Sequence, residues 1–313
     1  MSSGPESGDL DRDVEESMRM FERSQVGSPT LITTIKPSRV LLVLDGSPQD
    51  ETSVDAAANL RERFNTETLV LDARDQAAEG SRDEAADRAK QISGARPIQR
   101  KDGEPYDAIL AALNEHSVDL VIVPCPFGRS FETIGTDSAG TVIDVLLARC
   151  KTPMLVIRRE DQRLGPCTQD VSMILGGECD VENLAAAWAL GLAAESARVT
   201  LNLVIDKEQF ENIRSIVEAL HPEETLDPEK FSAALTKTHH RIHGAMAKTA
   251  TSLGLRYQLR PIAGEVAPPN PLRDSNQMLL VMPLEADDRF EQGFVQDRIR
   301  RSPHPVLIVT GHI

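Results

Sequence analysis

From residue 38 onward, short continuous apolar runs alternate with stretches whose apolar residues recur at helical spacing. Val40 to Leu44 is unbroken and ends in Asp45-Gly46-Ser47-Pro48, which predicts a buried parallel strand, a turn and a helix start. Val54, Ala57, Ala58 and Leu60 then suit a helix face, Thr68 to Leu71 a second strand, Glu84 to Ile92 a helix, and Ile98 a short third strand. Tyr106 to Leu113 predicts another helix, Leu120 to Val123 a fourth strand, Val142 to Leu147 a helix and Met154 to Ile157 a fifth strand. Strands and helices alternating at this spacing imply right-handed crossovers and a parallel, doubly wound sheet.

The pattern then recurs. SRVLLVLDGS (Ser38 to Ser47) aligns with QDVSMILGGE (Gln169 to Glu178), DLVIVP (Asp119 to Pro124) with MLLVMP (Met278 to Pro283), and TPMLVI (Thr152 to Ile157) with HPVLIV (His304 to Val309). The chain reads as a tandem duplication: an extension over 1–37, a first domain over 38–160 and a second over 161–313. The copies differ in length. Asp45 to Pro124 spans 79 residues against 107 from Gly176 to Pro283, so the second copy gains 28 before its fourth strand, mostly in helical sequence between Glu208 and Leu253. The extension carries a short amphipathic stretch (Val14, Met18, Phe21) and then a Pro-punctuated run to Pro37.

Composition narrows the function. With 34 Lys plus Arg against 49 Asp plus Glu among 313 residues the net charge is −15, and aromatics are 4%. No basic stripe suited to a phosphate backbone occurs beyond Arg298, Arg300 and Arg301, which read as a solvated helix face, so nucleic acid is not expected as a partner. Cys125, Cys150, Cys167 and Cys179 form no CxxC pair and read as thiols of a reducing compartment. The acidic, polar start lacks the order of a signal peptide, and the apolar stretch Leu184 to Ala194 is too short to span a bilayer. A cytoplasmic protein without a membrane partner is expected.

Ligands of an open parallel sheet bind beyond the carboxyl ends of its strands at the switch point, between the first and fourth strands if the order is 3-2-1-4-5. After the first strand stand Asp45, able to accept hydrogen bonds, and Gly46, which permits close backbone approach. After the fourth come Cys125-Pro126-Phe127-Gly128-Arg129-Ser130, a polar loop through Asp137, and Gly140-Thr141 opening a helix. Glycine and a hydroxyl at a helix N-terminus can cradle phosphate, with Arg129 adding a charged contact. A glycine-containing surface loop with Ser138 as N-cap is the alternative.

VLLVLDGS, Gly103-Glu104-Pro105, DLVIVP, Gly140-Thr141-Val142 and TPMLVI together give Ser38 to Arg158 a close similarity to the universal stress protein family. The second copy resembles it more faintly, through its first, fourth and fifth strands. Nucleotide-binding members carry Gly-x2-Gly-x9-Gly-Ser/Thr after the fourth strand, whereas this chain has Cys125-x2-Gly128-x11-Gly140-Thr141. The resemblance implies two tandem α/β domains, each a five-stranded parallel sheet of order 3-2-1-4-5 with helices on both faces, which pair along their fifth strands. It implies an adenine nucleotide such as ATP or AMP, with or without Mg²⁺, in the first domain. Asp45, with Gly46 and Ser47, would face the adenosine end; Ala73 and Pro124 would flank the base; Cys125, Gly128, Arg129, Gly140, Thr141 and Val142 would line the phosphate loop. In the second copy Gly176 replaces the aspartate, and LEADDRFEQG puts Glu285, Asp287, Asp288 and Glu291 where phosphate would lie, which is electrostatically unfavourable. The expected role is stress-response regulation without catalysis, the second domain pairing within the chain or contacting a partner, as a homodimer or with another protein. Two readings stay open beside it: an interaction protein with both sites vestigial, and a slow nucleotide hydrolase.

Other motifs are weaker. Gly176 to Asp180 lacks the serines of a pyrophosphatase SGGxDS loop. His239, His240 and His243 share a predicted helix without HExxH and read as a solvent-facing cluster. Cys125 lacks the arginine that a thiolate phosphatase loop needs six positions later.

Overall fold

Among the described residues ten strands join edge to edge in one sheet of order β3-β2-β1-β4-β5-β10-β9-β6-β7-β8. This computed structural model describes residues 30–74, 81–128, 139–177, 179–205, 207–223, 226–263, 277–285 and 289–311. The first half supplies β1 (Arg39–Leu44), α1 (Gln49–Phe64), β2 (Glu67–Asp72), α2 (Ser81–Ala89), β3 (Arg96–Pro97), α3 (Pro105–His116), β4 (Leu120–Pro124), α4 (Thr141–Arg149) and β5 (Met154–Ile157). After a one-turn helix α5 (Leu164–Cys167), the second half supplies β6 (Asp170–Leu175), α6 (Glu182–Leu192), β7 (Arg198–Ile205), α7 (Lys207–Leu220), α8 (Pro228–Thr238), α9 (His240–Ser252), β8 (Arg256–Ala263), β9 (Leu279–Glu285), α10 (Arg289–Arg301) and β10 (Val306–Gly311).

Each half has the order 3-2-1-4-5, parallel throughout, and the sheet becomes continuous where the fifth strands meet. That seam is antiparallel and short, pairing Met154, Leu155 and Val156 with Ile308, Leu307 and Val306. The fully apolar runs of β1, β4 and β5 lie under helices on both faces, as parallel strands require. Alternation along each strand divides the core. Leu42, Leu44, Leu60, Trp188 and Met246 pack on one face, and Leu41, Val43, Ile143, Leu146 and Ile299 on the other, so each core layer runs through both halves.

Three features of the sequence take a definite physical form in the fold. β3 shrinks to two residues because Pro97 has no N–H to offer, although Ile98 N–H still reaches the Val70 carbonyl at 2.9 Å. The extra length of the second half is the helical run α7, α8 and α9 between β7 and β8, where the first half has α2 alone. The end of the extension lies across the second half before entering β1 of the first: Ile32 N–H donates to Thr249 Oγ1 of α9 at 2.9 Å and Ile35 N–H to the Ala187 carbonyl of α6 at 3.1 Å. A side chain at Gly191 would put its Cβ 1.8 Å from the Ile35 carbonyl oxygen, so α6 needs glycine there for the strap to pass. Val14, Met18 and Phe21 lie outside the described residues.

Candidate functional site

Where β1 ends, Gly46 turns at φ +78° and Asp45 points back into the protein, only 4% exposed. Its Oδ1 accepts from Ser47 N–H at 2.9 Å and its Oδ2 from Gly128 N–H at 2.6 Å. One carboxylate thus ties the β1 loop to the β4 loop across the switch point of the first half. Asp50, in the first turn of α1 and fully buried, completes the turn by accepting from Asp45 N–H at 3.1 Å and Gly46 N–H at 2.8 Å. Sequence reasoning passed over Asp50. An acidic residue four positions after a glycine turn reads as first-turn helix charge, and only the fold brings it beneath the loop.

Burial and then the charge of Asp45 raise the Asp50 carboxyl from the usual range to about 7. Among the described residues a nearby cation is Arg74, just past β2, which lies over Gly46 so closely that a Cβ there would come within 2.9 Å of its side chain. Arg74 is already engaged by Asp72 at 2.6 Å and Glu84 at 2.5 Å.

Beyond β4 the chain turns through a cis Cys125-Pro126 bond to Gly128, at φ +64°, and resumes at Ala139 and Gly140, at φ +87°, before α4. Cys125 stands where the resembling motif has its first glycine. Its φ is not in the left-handed region, so the backbone accepts a side chain, and Sγ uses it to donate to the Ala139 carbonyl at 3.4 Å. The thiol thereby bridges the end of β4 and the start of α4. Burial pushes it up to about 12, so it stays protonated and is not a nucleophile. Arg158, beyond β5, lies against it, and burial lowers the Arg158 guanidinium from its ordinary value.

The structure therefore assembles Asp45, Gly46, Ser47, Cys125, Gly128 and Gly140 at one mouth. Thr141 is exposed at the start of α4 and Val142 is half-buried against the core. Ala73 and Pro124 are buried at the ends of β2 and β4. Arg129, with Ser138, lies outside the described residues. Ser47 Oγ and Gln49 Oε1 are buried without a hydrogen-bond partner among the described residues, an orphaning that native interiors rarely tolerate. A Cβ at Gly128 would meet nothing within 4 Å among the described residues, and the positive φ already gives a backbone reason for glycine there.

The corresponding mouth of the second half is built differently. Gly176 follows β6, and the ring of Phe294 from α10 packs over it, 3.3 Å from where a Cβ would stand. Arg298 sits 4.7 Å from the centre of that ring and is fully buried, which corrects its reading as part of a solvated face; Arg301 remains exposed and pairs with Asp297. The clamp is reversed as well. Glu285, at the end of β9, accepts from Asp180 N–H beyond β6 at 2.6 Å. Asp287 and Asp288 lie outside the described residues, as does the side chain of Glu291.

The histidines are also drawn apart. His239 is buried at the α8–α9 junction with Nδ1 3.6 Å from Glu182, His243 bonds Tyr257 at 3.0 Å, and His240 bonds the Lys237 carbonyl. The expectation of one solvent-facing cluster fails because α8 ends at Thr238 and a new helix begins at His240. Among the described residues no group of three or more His, Cys, Asp or Glu could hold a metal ion, and no helix is long and apolar enough to cross a membrane. All four cysteines are buried and none forms a disulfide.

No family model and no curated protein matches the sequence. Solved structures do match. A universal stress protein from Archaeoglobus fulgidus DSM 4304 superposes with a TM-score of 0.53 at 13% identity, covering 87% of this chain and 96% of its own. A functionally unknown protein from Pseudomonas aeruginosa PAO1 gives 0.51 at 13% identity over 88% and 92%. A universal stress protein in complex with cAMP covers 40% of this chain and 98% of its own at 24% identity, with a TM-score of 0.31. Strand order, seam and superposition agree, and over nearly its whole length the chain has the universal stress protein fold.

Proposed function

We propose that the chain is a stress-response regulator that binds an adenine nucleotide at the mouth of its first half, while its second half pairs with the first and presents a surface to partners. The observation that carries this reading is the Asp45 clamp. A buried carboxylate draws Gly128 to the end of β1 at 2.6 Å, and both glycines of the β4-to-α4 passage have positive φ, +64° and +87°, which lets the backbone turn closely around a bound group. The orphaned Ser47 Oγ and Gln49 Oε1 add polar capacity beside it. Mg²⁺, if carried, would arrive with the phosphates. Catalysis is not part of the proposal, since Cys125 stays protonated and both Asp45 oxygens are engaged by backbone donors.

Titration of ATP and AMP into the purified full chain by calorimetry tests this. One nucleotide per chain is expected, lost in Asp45→Asn combined with Gly128→Glu. No binding at about millimolar nucleotide, or binding indifferent to that double change, overturns it. Turnover faster than about 1 per second would favour a hydrolase instead.

One observation favours a second reading, that of an interaction protein. On α7 Ile216 and Leu220 are 61% and 71% exposed, within the helical run that the first half lacks. Ile216→Glu with Leu220→Glu would then abolish self-association or partner capture without touching nucleotide binding.

A further inference from the structure

The first mouth contains two buried carboxylates where one would suffice to tie its loops. Asp45 spans to Gly128, while Asp50 takes the N–H groups of Asp45 and Gly46, so two buried carboxyls share one turn, and burial and then the charge of Asp45 raise the Asp50 carboxyl. So close a pair favours one proton between the two acids, because buried like charges repel strongly at low dielectric.

Among the described residues that repulsion is relieved only in part: the N–H groups from which Asp50 accepts favour its ionised form, but burial and the charge of Asp45 outweigh them. From β2, Arg74 faces the pair but is shared with Asp72 on its own segment and Glu84 on α2. From β5, Arg158 lies against Cys125, and its carbonyl accepts from Gln49 Nε2 at 3.3 Å. The β4 loop offers the Gly128 N–H and the neutral Cys125 thiol, and the adjoining α1 residues Gln49 and Ser53 are uncharged.

We propose that Asp50 is a proton lock on the nucleotide mouth, its protonated form holding the β1 and β4 loops together and its ionised form releasing them. The lock rests on the nucleotide reading only for its consequence, not for its existence. Asp50 titrates near 7, so the change falls within the ordinary working range of a cell. The sign follows from linkage. A carboxyl whose folded value is raised favours the folded, clamped form while protonated, and that contribution declines from the ordinary carboxylate range upward and is lost as pH passes about 7. A phosphate brought to the mouth adds negative charge, so binding takes up a proton and affinity falls with rising pH.

The test uses amide NMR of the labelled full chain without nucleotide, from about pH 5 to about pH 9. The Gly46 and Gly128 amides are expected to shift together with a common midpoint near 7, and Asp50→Asn is expected to remove that midpoint. A midpoint near 4, or a Gly128 amide that does not move with Gly46, overturns the lock whether or not the variant folds. Calorimetry with ATP then reads the coupling: one linked proton gives about a tenfold loss of affinity between pH 7.5 and pH 8.5. Constant affinity over that interval overturns the coupling. Amides that titrate in a protein that binds no nucleotide at any pH would support the lock and overturn the nucleotide reading alone.

Discussion

The two mouths of this sheet occupy the same topological position and are finished by opposite means. In the first half the crevice between β1 and β4 is bounded by backbone and buried carboxylates, with Asp45 bonded to Gly128 and Arg74 laid over Gly46. In the second half the crevice between β6 and β9 is covered by an aromatic ring, with Phe294 over Gly176 and Arg298 stacked on the ring. Even the direction of the clamp differs: an acid after the first strand of the set in one half, an acid after the fourth in the other. The fold fixes where a ligand could bind, but a helix that drops one ring onto a glycine converts that place into core.

The sharpest way to break this comparison is to remove the ring. Phe294→Ala would strip the cover from Gly176 and leave the buried Arg298 without its stacking partner, a loss of about 3 kcal/mol in denaturant unfolding. Nucleotide affinity at the first mouth is expected to hold. A gain of a second nucleotide per chain would instead mean that the ring alone had closed an otherwise competent site.

A smaller effect probes whether the second half completes itself. Arg63 of α1 reaches across to the end of α6, donating to the Leu192 carbonyl at 2.8 Å, the Ala193 carbonyl at 3.1 Å and Thr168 Oγ1 at 3.1 Å. Helix ends leave such carbonyls unsatisfied, so the first half caps a helix of the second. Arg63→Ala should cost about 2 kcal/mol, with faster hydrogen exchange concentrated in α6 and little change around Asp45. Uniform acceleration across both halves would mean that the sheet unfolds as one unit without a separable second half.

Much of this contrast was legible in the sequence and part was not, for identifiable reasons. Apolar runs such as Val40 to Leu44 and Met154 to Ile157 specify buried parallel strands locally, and their recurrence shows the duplication, whereas the strand order and the seam were implied by the family resemblance. The loss of the aspartate at Gly176 was equally readable. Arg298 was not: helical position and charge say surface, and only the packing of α10 across Gly176 makes its guanidinium a core group. Asp50 escaped notice for the same reason, since its partners are backbone N–H groups contributed by a turn whose course a sequence does not state. The strap is a third case. Pro37 and its neighbours look like linker, whereas Ile35 is held by α6 and Ile32 by α9.

The finest comparison sets two glycines against each other. Among the described residues, Gly128 at the first mouth and Gly177 at the second have nothing within 4 Å of an added Cβ. They differ in backbone: Gly128 has φ +64°, while Gly177 is not in the left-handed region. Gly128→Ala should therefore destabilise by about 1 kcal/mol through strain alone and, on the proposed nucleotide reading, weaken binding by displacing the N–H that Asp45 holds. Gly177→Ala should stabilise by about 0.5 kcal/mol, because the unfolded chain loses freedom and the native backbone already suits a side chain. Paired denaturation curves read both signs. If the two substitutions moved stability in the same direction, backbone conformation would not be what separates the mouths, and the Phe294 ring would have to account for the whole difference.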